Sequence, residues 1–274
     1  ILVKLYNDKL ILIEETLYEK KEPILTLSRN DVMSYSFSTD DTDTYAGCKI
    51  SYYDSILAEK IEKSFFQKVN IISSGRTDKG VHAIGQVSNF FIDKNIPLNG
   101  IKQQLNKKVG KEIRILNIEE VDMEFNSRFD AKSRTYLYIM KKEEYVTPFE
   151  SNYVTEIKEN INIEELENIM KDYIGKHDFS SFMKKDKSKR NTVREIYWIK
   201  CYYNEVEKRI YIKICGNSFL KTMVRIMIGS ALAVYFENKD ENYIKNKLKN
   251  PDANGFKILA PSEGLYLYRV EYYN

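Results

Sequence analysis

Cysteine, proline, glycine and tryptophan are all scarce in this sequence, at 3, 5, 11 and 1 of 274 residues. The three cysteines, Cys48, Cys201 and Cys215, form no C-x-x-C pair, which excludes a disulfide-stapled mini-protein and points to a reduced, cytoplasmic setting. The two histidines, His82 and His177, have no ligand-type neighbours at zinc-like spacing, so no metal site is expected. So little glycine and proline excludes a collagen and argues against low-complexity linkers. No apolar run reaches the roughly 18 residues of a membrane span. Lys4, Asp8 and Lys9 interrupt the first aliphatic stretch, so it does not read as a secretory leader. An excess of one charge is missing too. Lys+Arg 43 against Asp+Glu 40 leaves +3, so any basic surface must be local. What remains is 43% hydrophobic and 30% charged, the composition of a soluble globule with a sizeable core, as one large domain or two moderate ones.

Periodicity divides the chain into alternating strand and helix signals. Ile1–Tyr6 and Leu10–Ile13 flank Asn7-Asp8-Lys9 and read as a hairpin, punctuated afterwards by Pro23 and Ser28–Asp31. A strand is expected at Val32–Phe37 and a polar loop at Ser38–Asp43. Asp54 reads as the N-cap of a helix over 55–68, with Leu57, Ile61 and Phe65 on one face. Strands are expected at Val69–Ile72 and Gln86–Ile92. Pro97 opens a helix carrying Ile101, Leu105 and Val109. Ile113–Val121 and Thr135–Met140 are further strand candidates. The midpoint falls near Tyr145–Tyr153. Beyond it come a helix at 163–173, strands at Thr192–Tyr203 and Arg209–Cys215, a helix over Ser218–Phe236 that is apolar nearly all round and hence buried, and a strand at Leu265–Tyr272. Each half mixes strands with about two helices, which predicts an α+β fold with helices on one face of a mostly antiparallel sheet.

The segment Ser73-Ser74-Gly75-Arg76-Thr77-Asp78-Lys79-Gly80-Val81-His82-Ala83 is the richest in chemistry. Two glycines flank four polar residues, as in a loop that turns sharply and approaches a ligand. Arg76 and Lys79 favour a charged carboxylate at Asp78, a candidate nucleophile or base. An ordinary turn with surface ion pairs fits the same composition equally well.

The wording of this loop, with Gly85-Gln86-Val87, closely resembles the signature of TruA-type tRNA pseudouridine synthases. Four further motifs follow in that family's order: Arg128–Tyr138, Gly175–Phe182, Gly216–Arg225 and Ala260–Leu267. The resemblance implies a cofactor-free isomerase that converts uridine to pseudouridine in the tRNA anticodon stem-loop, usually at positions 38, 39 and 40. It implies a homodimer of chains with two similar α/β halves that share one sheet around a central cleft. Residues 32–148 are then the half with the catalytic loop, 149–274 the half completing the cleft, and 1–31 an N-terminal extension.

By match to the motifs, Asp78 is the catalytic carboxylate and Tyr136 stacks on the target base. Arg225 approaches the aspartate from the buried helix, and Arg76 takes the flipped base's place or contacts the backbone. His82 and His177 lie inside motifs and are expected to hydrogen bond within loops. The basic run 184–194 follows the third motif. There Lys184, Lys185, Lys189 and Arg190 are candidate phosphate contacts, with Lys107, Lys108 and Lys111 a weaker patch. The family's opening loop is met only loosely by Asp41–Lys49, where Cys48 replaces an aromatic residue and Lys49 a glutamine. Asn254–Leu259 also departs from the usual pattern. A non-catalytic tRNA-binding module and a synthase with another RNA target are the competing readings; a hydrolase built on His177 and Asp178 is remote.

Overall fold

The computed structural model describes residues 52–93, 96–184 and 191–272, and the backbone of 2–6, 9–13 and 25–28. The chain divides into two compact units: residues 1–72 with 89–125, and residues 73–88 with 126–274.

In the first unit, β1 (Leu2–Tyr6) and β2 (Lys9–Ile13) pair antiparallel with Leu2 opposite Ile13, the expected hairpin. A third strand, β3 (Leu25–Ser28), pairs with β2, in keeping with residues 1–27 reading as strand material. The strand expected at 32–37 and the motif-like stretch 41–49 lie outside the described residues. Helix α1 (Tyr52–Phe65) begins two residues before Asp54, which therefore sits in the first turn rather than at the cap. Ile61 and Phe65 pack on Ile101 and Leu105 of α2 (Leu98–Lys108), each pair on the face that its four-residue spacing marks as buried. Segment 113–121 is not a strand. Asn106 on α2 takes the backbone of Ile115 for itself: its Nδ2 donates to Ile115 O at 2.9 Å, and Ile115 N donates to its Oδ1 at 2.8 Å. Lys102 donates to Leu116 O. Side chains of the helix consume the groups that a ladder would need.

The second unit holds the main sheet. Its strands are β5 (His82–Ala83), β7 (Ser133–Lys142), β8 (Thr155–Ile157), β9 (Gly175–Asp178), β10 (Val193–Asn204), β11 (Arg209–Gly216) and β12 (Leu265–Glu271). The short strands β4 (Ile72–Ser73) and β6 (Ser88–Asn89) form a separate pair. The main order is β5-β12-β7-β11-β10-β9, with β8 beside β7. Only the β5–β12 and β7–β8 pairings are parallel. Alternation sends Tyr138 and Met140 of β7 and Ile210, Ile212 and Ile214 of β11 to one face. There α3 (Ile163–Met170), α4 (Met223–Tyr235) and α5 (Tyr243–Lys249) contribute Leu166, Met170, Met227, Ile228 and Ile244 to the same core. Each such fully buried side chain contributes about 2 kcal/mol. Leu137, Ile139 and Tyr211 join Val154 in a second, smaller cluster. The class is the expected mixture of helices with a mostly antiparallel sheet.

Polar β9 and short α5 carry too little apolar pattern to be foreseen. Helix α4 is buried on nearly all sides, yet it starts at Met223 rather than at Ser218. Residues 218–222 form an irregular turn because Thr222 adopts the left-handed region, at φ 64 and ψ 6. Among the described residues no helix is long and apolar enough to cross a membrane.

One ion cluster ties β7 to β11. Glu150 accepts from Lys141 Nζ at 2.5 Å, from Arg209 Nη2 at 2.6 Å and from Thr147 N at 3.1 Å. Burial alone would raise its pKa, but these hydrogen bonds win and hold it at about 2, below the ordinary 4.5. A depressed carboxylate stabilises the fold above its unfolded pKa, and that contribution is lost as pH falls toward 2. Replacing Glu150 by Gln should therefore lower the Tm at pH 7 and flatten its fall between about pH 5 and pH 2 relative to the parent. Thermal unfolding across that range checks it.

Candidate active site in the 73–88 loop

The loop from Ser73 to Ser88 closes on itself before it presents any chemistry. At its base Ser73 Oγ and Ser88 Oγ are 2.7 Å apart, and Ser74 N donates to Val87 O at 2.9 Å. Gln86 spans the neck, donating to Gly75 O at 2.7 Å and accepting from Ser74 Oγ at 3.0 Å. At the tip, Val81 N returns to Asp78 O at 3.0 Å, a turn whose third residue, Gly80, has φ 80. Only glycine takes that conformation freely. Val81 is then buried in the main core, and His82–Ala83 pairs with β12. Gly85 lies so close to β12 that a Cβ would collide with the Tyr268 carbonyl. The exposed or half-buried groups Arg76, Thr77, Asp78 and Lys79 are thus followed directly by the anchors Val81, Ala83 and Gly85.

Asp78 is half-buried, and its Oδ2 accepts from Thr222 Oγ1 at 3.2 Å. Tyr136 on β7 is its aromatic neighbour. The Tyr136 ring meets Phe219 edge-on at 5.0 Å, and its hydroxyl lies 3.8 Å from where a Cβ would stand on Gly75. Burial pushes the Tyr136 hydroxyl up to about 12; Arg134 opposes this and the charge of Asp78 adds to it. At neutral pH Tyr136 is therefore a neutral ring with a protonated hydroxyl, suited to stacking and not to proton abstraction.

Arg225 lies in the first turn of α4 and, among the described residues, pairs with no carboxylate. Its Nε donates to Ala260 O at 2.8 Å while Ala260 N donates to Arg225 O at 3.0 Å, which docks the 258–261 segment on the helix. Among the described residues no ion pair engages Asp78. Arg76 and Lys79 are exposed. Lys184 is exposed as well, its backbone N donating to Lys221 O at 3.1 Å, while Lys185, Lys189 and Arg190 lie outside the described residues. His82 bonds to Asn152 O at 2.9 Å and His177 to Ile174 O at 3.0 Å. Asp178 accepts from Ser180 N at 2.8 Å, a local turn rather than a catalytic pair with His177. Among the described residues no group of three His, Cys, Asp or Glu could hold a metal ion.

Two residues of the motifs acquire roles that sequence alone left blank. Thr222 is one. Arg134 is the other: a buried guanidinium whose Nε donates to Ser74 O at 3.0 Å, Nη1 to Asn217 O at 3.1 Å and Nη2 to Arg128 O at 2.6 Å. It binds three loops through their carbonyls, with burial lowering its pKa. A sequence signal existed, since Arg134 lies between Ser133 and Thr135 on a strand with no acid beside it, and Thr222 directly precedes an apolar helix. The site as a whole can place a carboxylate against a planar ligand laid on Tyr136, as nucleophile or base.

A family model described as tRNA pseudouridine synthase matches residues 33–130 and 169–273, more than half of the chain. A tRNA pseudouridine synthase A 2 of Bacillus cereus is 34% identical over 219 residues, covering 80% of this chain and 87% of its own. A tRNA pseudouridine synthase A of Finegoldia magna is 36% identical over 236 residues, covering 85% and 96%. Among solved structures, a crystal structure of a Cbf5-Nop10-Gar1 complex matches at 10% identity and a TM-score of 0.38. That match covers 79% of this chain and 44% of the other, a likeness too slight to argue from.

Arg134→Met leaves the three carbonyls without their donor. It should cost about 3 kcal/mol of stability, measured by denaturant unfolding, and Arg134→Lys, with one ammonium in place of a fork, should recover only part.

Proposed function

The chain belongs to the TruA-type tRNA pseudouridine synthase family, and from that premise we propose that it isomerises uridines of the tRNA anticodon stem-loop, at positions 38–40, with Asp78 as the catalytic carboxylate. The observation that carries this reading is that Asp78, on a loop anchored on both sides, accepts from Thr222 Oγ1 and lies near enough to Tyr136 for its charge to act on the buried hydroxyl.

The reaction breaks the bond from N1 to C1′ and forms one from C5 to C1′. The C5 proton leaves and N1 gains one, so no electrons are exchanged and no redox cofactor is called for. Asp78 serves as nucleophile or base in this exchange. A base inside an A-form stem is out of reach, so the target nucleotide is extruded and laid on Tyr136. An aromatic face supports uracil equally before and after it rotates. Arg76, exposed beside Asp78, contacts the backbone at the vacated position. Arg225 contributes by holding segment 258–261 against α4. Lys184, with Lys185, Lys189 and Arg190, grips phosphates, where contacts position the RNA without reading sequence. The enzyme works in the cytoplasm, where tRNA is handled, and as a homodimer.

Asp78→Ala and Asp78→Asn should abolish pseudouridine formation in a tRNA transcript while leaving the Tm near that of the parent. Retained turnover in a folded variant would sink the assignment. Mapping pseudouridine across total RNA should find the modified sites at 38–40; a consistent pattern elsewhere would favour another RNA target, and no modification a binding module. Sedimentation at micromolar protein should show a dimer, and a monomer alone would contradict the homodimer.

A further inference from the structure

We propose that Thr222 is a positioning residue for Asp78, held in a strained backbone so that its hydroxyl serves the carboxylate instead of the helix it precedes; this rests on the reading of Asp78 given above. Thr222 stands at the N-cap of α4, where threonine is a favoured capping residue. Yet its side chain makes no capping hydrogen bond to the helix. Its Oγ1 donates to Asp78 Oδ2 at 3.2 Å instead, across 144 positions of sequence. That separation is long for O–H···O, as hydrogen bonds of unliganded active sites often are.

The backbone shows what this arrangement costs. Thr222 sits at φ 64 and ψ 6. A β-branched residue in the left-handed region is an outlier, which persists only where its surroundings over-determine it. They do so here. Leu220 and Met223 on either side are both buried, and Met223 N donates to Leu220 O at 3.1 Å. Met223 Sδ accepts from Leu220 N at 3.4 Å. Lys221 O accepts from Lys184 N at 3.1 Å, and Thr222 O accepts Ile226 N at 3.1 Å, starting the helix. The segment is clamped at every residue around the strained one. Glycine would relieve the strain and asparagine would tolerate it, but threonine stands there, the residue that brings a hydroxyl on a stiff χ1.

A donor fixed on one carboxylate oxygen restricts rotation of the carboxylate and so fixes the direction in which the other oxygen faces. Thr222 therefore acts on turnover through Asp78 and not on tRNA affinity.

Three variants separate this from a merely structural role. Thr222→Ser keeps the hydroxyl. Thr222→Val keeps the shape and the strain without it. Thr222→Gly removes both hydroxyl and strain. With an unmodified tRNA transcript as substrate, Ser should hold kcat within about threefold, while Val and Gly should lose about tenfold or more, with KM within about twofold. Gly should meanwhile raise the Tm by a few degrees, so that stability and turnover move in opposite directions. Because Gly relaxes the backbone, it carries the test even where Val folds poorly. Wild-type kcat in Gly, or an equal loss in Ser and Val, would overturn the proposal. Asp78→Ala run alongside keeps the two readings apart. Retained turnover there removes the group through which Thr222 acts and overturns both, whereas an inactive Asp78→Ala beside a fully active Thr222→Gly overturns the positioning role alone.

Discussion

The guanidinium of Arg134 is the joint on which the candidate site turns. Ser74 O, Asn217 O and Arg128 O belong to three loops far apart in sequence, and each ends its own strand or turn with a carbonyl that β-pairing does not use. A buried cation without a carboxylate is costly unless its donors are satisfied, and here backbone dipoles do that work. The arrangement has a geometric advantage over an ion pair. A planar fork bonded to three carbonyls fixes distance and direction at once, whereas a single carboxylate would fix one partner only. The base of the 73–88 loop, the turn before α4 and the 126–130 turn are thereby held to one another by one residue of β7.

From that joint the chemistry follows in short steps. Tyr136 is two residues along β7, on the same side of the strand, so the ring is placed by the same strand that places the joint. Asp78 is held at the tip of its loop because Val81 is buried beyond it and Gly80 permits the turn between them. Thr222 reaches Asp78 because the turn anchored at Asn217 ends in a left-handed residue before α4 begins. Precision of this kind needs rigid supports, and every support is a buried side chain or a satisfied backbone group of the second unit.

Most of this was legible in the sequence where pattern and chemistry coincide. The long strands β7, β10, β11 and β12 and the apolar helix α4 announce themselves, because burial on one face or on both dictates residue type along them. Asp78 and Tyr136 stood out because each lies in a motif by which the sequence resembles the family. What escaped has a common physical cause. Strand β9 is short and polar, α5 has one buried residue, and the segment 113–121 has strand-like composition but gives its backbone to Asn106. In each case a specific partner decides the conformation, and local sequence does not reveal the partner. The same holds for Arg225, whose place on an apolar helix suggests pairing with a carboxylate but whose partner is the backbone of Ala260.

The near balance of charge also takes on meaning once positions are known. In the second unit, Glu164, Glu165, Glu237 and Glu241 border one surface concavity with Lys239 as its single cation. A phosphate backbone is repelled there. In the first unit, Lys102, Lys107 and Arg114 border another concavity together with Asn99, Gln103 and Asn106, and no acid lines it. The overall +3 is therefore a sum over unlike surfaces. For an enzyme whose substrate carries a charge on every nucleotide, that unlikeness matters more than the sum.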